Sequence, residues 1–312
     1  YPFLVIRNWA KGERGEIEKK LQEEKFDLIH AETFYVMPHI PKTDIPILLV
    51  EQTVEFLVYK HFADESPLIF LKPLLYLDVA KMKYWELRYW KQAKHVVAMS
   101  QDDKQIMLSG IPSLRVDIVP NGVDCKYFGV KVAARSKNPI VLYLGNFTWL
   151  QNREAVGVLV RSVWPKIKAE VKDSKLWIIG KDAKRFFPDL ESDDIRVDEV
   201  KDVRVVYQAA SILVAPIYGS GGTRYKNFEA FASDLPVVTT SIGIGGTEAR
   251  DGHEVIIRDD PEEVAQAAVE LLKNLALRQK IAQSAKKMVG ERYDWDPIAQ
   301  KLNGLYQEVG SA

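Results

Sequence analysis

The sequence predicts an α/β protein built from two doubly wound, parallel-sheet domains. Its 312 residues are more than one ordinary hydrophobic core accommodates. Short apolar runs alternate with helical patterns along the whole chain, which is typical of parallel strands joined by crossover helices. A polar stretch at residues 126–139 separates an earlier series of such units from a later one. We therefore expect two domains that face a cleft, with ligands outside the carboxyl ends of the strands.

The first series predicts a domain at residues 1–130. Its short apolar runs predict strands at residues 3–6, 28–30, 47–50, 96–99 and 116–119. A charged segment at residues 13–25 and a longer one ending near Lys94 have helical patterns between these runs. Pro120-Asn121-Gly122 predicts a turn after the last strand.

The second series predicts a domain at residues 131–295, followed by a C-terminal helical segment at 296–312. Strands are expected at residues 140–144, 176–179, 212–215 and 236–239. The apolar residues from Val156 to Trp164 recur at helical spacing, and Pro165 should kink or end that helix. A helix is expected from residue 262 to about 288, and Pro297 should open a last helix ending near Glu308.

Composition excludes several classes of protein. Lysine plus arginine and aspartate plus glutamate both total 43, which argues against a broad nucleic-acid-binding surface. Cys125 is the single cysteine, so no internal disulfide can form, and we expect a reducing, cytoplasmic compartment. None of the five histidines has metal-ligand spacing, and we expect no metal. Charges interrupt the most apolar region, residues 68–90, so it cannot span a bilayer as a helix.

A basic and aromatic segment at residues 81–94 leaves two interpretations open. It could touch the inner membrane face peripherally, or it could pack its aromatic side chains on the sheet and expose its charges. The residues concerned are Lys81, Lys83, Arg88, Lys91 and Lys94 with Tyr84, Trp85, Tyr89 and Trp90.

Residues 219–240 predict an anion site. A strand at 212–215 leads into Gly219-Ser220-Gly221-Gly222-Thr223, and a helical segment follows. Backbone N–H groups and the positive helix end point at such a loop. Arg224 and Lys226 stand where the helix dipole disfavours cations, which makes sense if a diphosphate binds there.

Glu229 adds a hydroxyl acceptor to the predicted anion site. It lies three residues beyond Lys226 and can face the same side of the helix. Phosphate together with vicinal hydroxyls describes a nucleotide. Gly145 and Asn146 follow the strand at 140–144, where the backbone could approach phosphate, although a simple turn is the alternative. Lys181 and Asp182 follow another strand and could belong either to this site or to a solvated loop.

These residues resemble the family 4 glycosyltransferases, retaining enzymes of the GT-B fold with two Rossmann-like domains. Residues 219–240 are similar to that family's glycine-rich loop, Gly-Thr-Arg-x-Lys helix start, Glu-Ala and Pro-Val-Val. Residues 143–149 with Asn152 resemble the opening of its donor domain. Residues 119–124 with Phe128 resemble its interdomain hinge, and Tyr293-Asp294-Trp295 the link to a last helix that crosses back to the first domain.

The resemblance implies roles for the candidate residues. Arg224 and Lys226 would stabilise the leaving diphosphate and carry the catalysis, and Glu229 would bind the ribose. Gly145, Asn146, Gly221, Gly222 and Thr223 would complete the donor site. Gly221 stands where the family often has a glutamate, and Gln52, on the acceptor side, stands near a position where relatives tend to have histidine. The donor would be a nucleoside diphosphate sugar, the acceptor a sugar or a lipid-linked hydroxyl, and no cofactor is expected.

A non-catalytic alternative also follows from the resemblance. The chain begins at Tyr1, at what resembles the family's third strand, so the first domain is expected to be truncated. A second chain, or self-association, would then supply the missing strands, and the protein would be a nucleotide-sugar-binding or partner subunit.

Overall fold

A computed structural model describes residues 1–219 and 224–311 of the chain. By the contacts among its own residues, the chain divides into two compact units. The first comprises residues 1–120 and 298–311, and the second comprises residues 121–219 and 224–297. The sequence-based boundaries after residues 130 and 295 stay a prediction.

The first unit contains a parallel sheet flanked by helices. Its described strands pair in the order β1-β2-β3-β4. The strands are β1 (Ile29–Glu32), β2 (Ile47–Glu51), β3 (His95–Ala98) and β4 (Val116–Ile118). The helices are α1 (Phe3–Arg7), α2 (Glu13–Glu23), α3 (Glu55–Glu65), α4 (Lys72–Gln92) and α5 (Gln101–Gly110), with short 3₁₀ segments at Phe34–His39 and Ile69–Leu71.

The second unit contains a larger parallel sheet in the order β10-β9-β8-β5-β6-β7. Its strands are β5 (Ile140–Leu144), β6 (Lys175–Ile179), β7 (Ile195–Asp198), β8 (Ile212–Ala215), β9 (Val237–Thr239) and β10 (Ile256–Ile257). Its helices are α6 (Cys125–Gly129), α7 (Leu150–Val158), α8 (Trp164–Glu170), α9 (Ala183–Phe186), α10 (Val203–Ala209), α11 (Tyr225–Ala232), α12 (Ser241–Ile244), α13 (Pro261–Lys273) and α14 (Leu275–Arg292). The last helix, α15 (Trp295–Gly310), begins in this unit and continues in the first.

Successive strand residues alternate between two apolar cores, one on each face of a sheet. In β5, Val141 and Tyr143 pack in one core, and Ile140 and Leu142 pack in the other. The first unit follows the same rule, and its second core contains Ile298, Leu305 and Val309 of α15. Helices on both faces explain why the central strands β5 and β8 are apolar throughout instead of alternating with polar residues. The predicted α/β class with parallel sheets is therefore confirmed.

Two predicted helices have other bounds in the structure, and a third changes type near the proline that was expected to kink or end it. A π-helical turn at Leu159–Val163 lies between α7 and α8, directly before Pro165 in the sequence. This wider turn and the position of Pro165 at the start of α8 avoid the need for its missing N–H. The helix expected at 262–288 is interrupted at Asn274, whose side chain caps α14. The last helix begins at Trp295 and not at Pro297.

The prediction of a strand at residues 3–6 was also wrong. These residues form α1, with Leu4 and Val5 buried. An apolar run this short does not distinguish a strand from a helix by periodicity. Pro2 is the N-cap residue of α1 and has the extended conformation usual at that position. The comparison of the chain start with a third strand fails for the same reason.

The aromatic side chains of α4 face in different directions. Tyr89 and Trp90 are buried in the core, Trp85 is half-buried and Tyr84 is exposed. Tyr89 and Trp90 therefore agree with the interpretation that this segment packs its aromatic side chains on the sheet. No helix in the part of the chain that the structure describes is long and apolar enough to cross a membrane.

Candidate functional site

The order of the larger sheet determines where a ligand can bind. The chain runs outward from β5 to β6 and β7, returns to place β8 on the other side of β5, and continues to β9 and β10. The direction reverses between β5 and β8, and ligands bind outside the carboxyl ends of strands at such a point. Gly145 and Asn146 follow β5, and Arg224 and Lys226 follow β8. The topology thus brings these four predicted residues to one edge of one sheet.

Lys226 lies in the first turn of α11 and is buried, with 8% of its surface exposed. Its Nζ donates hydrogen bonds to the Tyr143 hydroxyl at 3.1 Å and to Asn152 Oδ1 at 2.8 Å. Burial, and then the charge of Arg224, lower the pKa of Lys226 well below its usual value, while Glu229 acts in the opposite direction. The ammonium is therefore held in a place where an anion would stabilise it strongly.

Asn152 connects Lys226 to the loop after β5. Its Oδ1 also accepts the Tyr143 hydroxyl at 2.8 Å, and its Nδ2 donates to the carbonyl of Asn146 at 2.8 Å. The side chain of Asn146 accepts from the backbone N–H and hydroxyl of Thr148 at 3.1 and 2.8 Å. The amide group of Asn146 therefore stabilises its own turn, and this loop is built as one hydrogen-bonded unit with Lys226.

The ends of β5 and β6 approach each other closely at two glycines. Gly145 donates its N–H to the carbonyl of Ile179 at 3.0 Å, and Gly180 has a φ of 140°. A Cβ at Gly180 would lie 1.9 Å from the carbonyl oxygen of Gly145. Only glycine permits this approach, which fixes the position of the loop after β5 relative to the end of β6.

Arg224 immediately precedes α11, at its N-cap position. Its Nη2 donates to the carbonyl of Gly219 at 2.6 Å, and burial lowers its pKa from the usual value. An arginine nevertheless keeps its charge at neutral pH. Two desolvated cations therefore lie at the positive end of one helix, where they favour a ligand with more than one negative charge.

Glu229 lies one turn beyond Lys226 and accepts a hydrogen bond from the Tyr207 hydroxyl at 2.7 Å. Burial raises the pKa of Glu229, and Tyr207 and Lys226 lower it in part. Tyr207 itself is fully buried on α10. Tyr207 was not predicted from the sequence, because a lone tyrosine in an apolar helix resembles a core residue.

Lys181 and Asp182 follow β6, beside the same loop. The carbonyl of Lys181 accepts the N–H of Phe147 at 3.1 Å, while the side chain of Lys181 is exposed. Asp182 has a φ of 62°, and its N–H donates to Glu199. The backbone of this pair supports the loop after β5.

Gln52 lies in the first unit, directly after β2. Its Nε2 donates to Glu32 Oε2 at 2.9 Å, and the other oxygen of Glu32 is 3.1 Å from His30 Nε2. The hydrogen bond with His30 lowers the pKa of Glu32. Glu32, which fixes the orientation of the Gln52 amide, was not predicted from the sequence.

Three predicted donor residues, Gly221, Gly222 and Thr223, lie outside the described residues. Within residues 1–219 and 224–311, no group of three or more histidine, cysteine, aspartate or glutamate side chains could hold a metal ion. The expectations that the protein needs no metal and no cofactor stay predictions.

Two family models match consecutive parts of the chain. The model described as Glycosyltransferase Family 4 matches residues 2–127, and the model described as Glycosyl transferases group 1 matches residues 138–274. The chain belongs to the family 4 glycosyltransferases. The second match includes the strands, loops and helix start on which Lys226, Asn152 and Glu229 lie.

Individual relatives match this chain over nearly its whole length. A protein from the cps region of Klebsiella pneumoniae is 24% identical over 307 residues, which are 94% of this chain and 76% of the relative. Sucrose-phosphate synthase from Thermosynechococcus elongatus superposes with a TM-score of 0.73 at 17% identity, covering 96% of this chain and 77% of that protein. Anabaena HepE in complex with UDP-glucose superposes with a TM-score of 0.70 at 13% identity, covering 96% and 84%. These structures identify the fold of the glycosyltransferase as GT-B.

Proposed function

We propose that this glycosyltransferase binds a nucleoside diphosphate sugar at the β5–β8 edge of the larger sheet and transfers the sugar, with retention, to a hydroxyl acceptor. The observation that carries the proposal is the buried ammonium of Lys226, held by Tyr143 and Asn152 beside the charge of Arg224. Desolvated, pre-oriented cations stabilise developing negative charge better than solvated ones, because little reorganisation accompanies the reaction.

The proposed step breaks the bond between the anomeric carbon and the donor phosphate oxygen, and the bonding electrons stay on that oxygen. The acceptor oxygen bonds the anomeric carbon from the same face, and its proton passes to the leaving phosphate. Lys226 and Arg224 stabilise the diphosphate as its charge increases. Glu229, oriented by Tyr207, accepts hydrogen bonds from the ribose hydroxyls.

The remaining assignments are supported by position and by the family. Gly145 and Asn146 place backbone groups beside the diphosphate, and Gly221, Gly222 and Thr223 are proposed to do the same from the loop before α11. Gln52 is proposed to act on the acceptor side, its amide held by Glu32. A sugar or lipid-linked acceptor in glycan or polysaccharide synthesis, and a cytoplasmic location at the inner membrane face, stay proposals.

The test is a transfer assay with a panel of nucleoside diphosphate sugars and sugar acceptors. UDP-glucose is the first donor to assay, because Anabaena HepE binds it. Lys226→Met keeps most of the buried side-chain volume and removes the ammonium, so we expect kcat to fall about 10²- to 10³-fold. Lys172→Ala, which removes an exposed lysine elsewhere in the unit, is the matched control and should leave kcat unchanged.

Two results would count against the proposal. Unchanged kcat in Lys226→Met would remove the lysine from the catalytic site. Donor binding by the wild-type chain without transfer to any acceptor in the panel would instead favour a nucleotide-sugar-binding subunit completed by another chain.

A further inference from the structure

A cavity separate from the candidate donor site lies at the other end of the strands of the larger sheet. It has a volume of about 720 Å³. Its walls are the segment before β5, the turn between α11 and β9, and one face of α14. These segments precede strands, so the cavity adjoins their amino ends, whereas the candidate donor site adjoins their carboxyl ends.

The cavity is strongly basic. Among the described residues that line it are the cations Lys131, Arg135, Arg278 and Lys286, and Asp234 is the one carboxylate. Within the described part of the chain, the side chains of Lys131, Arg278 and Lys286 take part in no hydrogen bond or ion pair. A net positive charge of this kind on a concave surface attracts anions.

Arg135 and Arg278 form the centre of this charge. Arg135 donates through Nη1 to the carbonyl of Ala210 at 2.6 Å and through Nη2 to the carbonyl of Asp234 at 3.0 Å, which fixes its guanidinium. Burial and the nearby charge of Arg278 lower the pKa of Arg135. The charge of Asp234 offsets this in part. Arg135 and Arg278 line the same cavity, and guanidinium groups bind phosphate through charge-assisted hydrogen bonds.

The cavity also has a rigid wall and neutral polar groups. Gln208 accepts the N–H groups of Val132 and Ala133 at 2.8 and 3.1 Å, which fastens the segment before β5. Gln279 and Gln283 line the cavity from the same face of α14 as Arg278. Amide side chains there can hydrogen-bond hydroxyl groups.

We propose that this cavity binds a small phosphomonoester that carries hydroxyl groups, with the phosphate between Arg135 and Arg278 and the hydroxyls toward Gln279 and Gln283. The volume agrees with that of pockets for small ligands, about 300–1,000 Å³. The site lies apart from Lys226 and goes beyond the proposed transfer reaction.

The experiment is calorimetric titration of the full chain with glucose 6-phosphate, inorganic phosphate and unphosphorylated glucose. We expect glucose 6-phosphate to bind, inorganic phosphate to bind more weakly and glucose not to bind. Arg278→Gln should weaken glucose 6-phosphate binding at least about tenfold, because the second guanidinium is lost. Lys280→Gln removes an exposed cation from the same helix outside the cavity, and it should leave the affinity unchanged.

Arg278→Gln should fold, because the Arg278 side chain makes no hydrogen bond to a described residue, and an unchanged thermal midpoint would verify this. Equal affinity for glucose 6-phosphate in Arg278→Gln and wild type would overturn the proposal. The absence of binding to wild type at about 10 mM ligand would also overturn it.

Discussion

Glu86 is a fully buried carboxyl group in the first unit. Its two oxygens accept the backbone N–H groups of Glu55 at 2.8 Å and Phe56 at 3.1 Å, so it caps the amino end of α3 from another helix. Burial raises the pKa of Glu86 to about 8. A carboxyl group whose pKa is higher in the folded than in the unfolded state stabilises the fold less as the pH rises.

We predict that the free energy of unfolding decreases between pH 4.5 and about 8, the two pKa values of Glu86. Glu86→Gln should flatten this decrease. At acid pH the variant should be less stable by about 1–3 kcal/mol, because one backbone N–H loses its acceptor. The difference in free energy of unfolding between Glu86→Gln and wild type should become smaller as the pH rises. The measurement is the urea midpoint as a function of pH, with exposed Glu16→Gln as the control, and parallel profiles for Glu86→Gln and wild type would disprove it.

At the scale of single residues, the sequence predicted those side chains that lie next to a recognisable loop or helix start. Arg224, Lys226 and Glu229 stand beside a glycine-rich run, so their approximate positions were foreseeable. Their hydrogen-bond partners could not be predicted in the same way. Tyr207 lies 22 residues before Glu229 on a different helix, and only the folded sheet brings the two side chains to 2.7 Å.

At the scale of elements, two glycines with positive φ form a matched pair for experiment. Gly180 combines a φ of 140° with a backbone oxygen only 1.9 Å from where a Cβ would lie, whereas Gly252 has a φ of 73° and open space around it. We predict that Gly180→Ala costs about 3 kcal/mol or more, since strain and overlap add. Gly252→Ala should cost about 1–2 kcal/mol, from backbone strain alone.

Urea unfolding of the two variants measures this difference. Gly180→Ala should also weaken donor binding, because the carbonyl of Gly145 must move away from the new methyl group and the loop after β5 moves with it. Equal losses of stability in the two variants would show that the approach of β5 and β6 is looser than the structure indicates.

Elements with a strong local signal were predicted well, and short or irregular ones were not. The expected bounds of β5 and β8 agree with the structure because both are central, wholly apolar strands. The edge strand β7 was missed because its sequence, Ile-Arg-Val-Asp, is half polar. There the Arg196 guanidinium lies 5.0 Å from the centre of the Trp177 ring and pairs with Asp198, which local sequence does not reveal. The π-helical turn before Pro165 was missed as well, and its residues Leu159 and Val163 are buried in a core of the larger sheet.

At the scale of the whole molecule, each unit has its own cores. The two apolar cores of the larger sheet contain only residues from 121–297. The described candidate donor residues lie in the same range; they are Gly145, Asn146, Arg224, Lys226 and Glu229. We predict that a fragment of residues 121–297 folds cooperatively and binds a nucleoside diphosphate sugar. Its affinity should be within about threefold of the full chain, a difference under 1 kcal/mol.

Circular dichroism melting and calorimetry of this fragment are the measurements. The same fragment with Lys226→Met is the control, and its donor affinity should fall. A fragment that melts without a cooperative transition would show that the second unit depends on residues outside 121–297. The domain boundaries predicted after residues 130 and 295 can be compared in the same assay by expressing residues 131–295.

The buried environment of Lys226 has a consequence for proton balance. Without a ligand, the lysine binds its proton weakly, because burial and the charge of Arg224 both disfavour the ammonium. A diphosphate beside it reverses that preference, so the donor and a proton bind together. For the proposed donor site, we therefore expect donor affinity to decrease as the pH rises past the lowered pKa of Lys226, which calorimetry over a range of pH would measure. In the proposed donor site, donor binding is thus coupled to the protonation of Lys226, a residue that takes no part in the proposed bond changes.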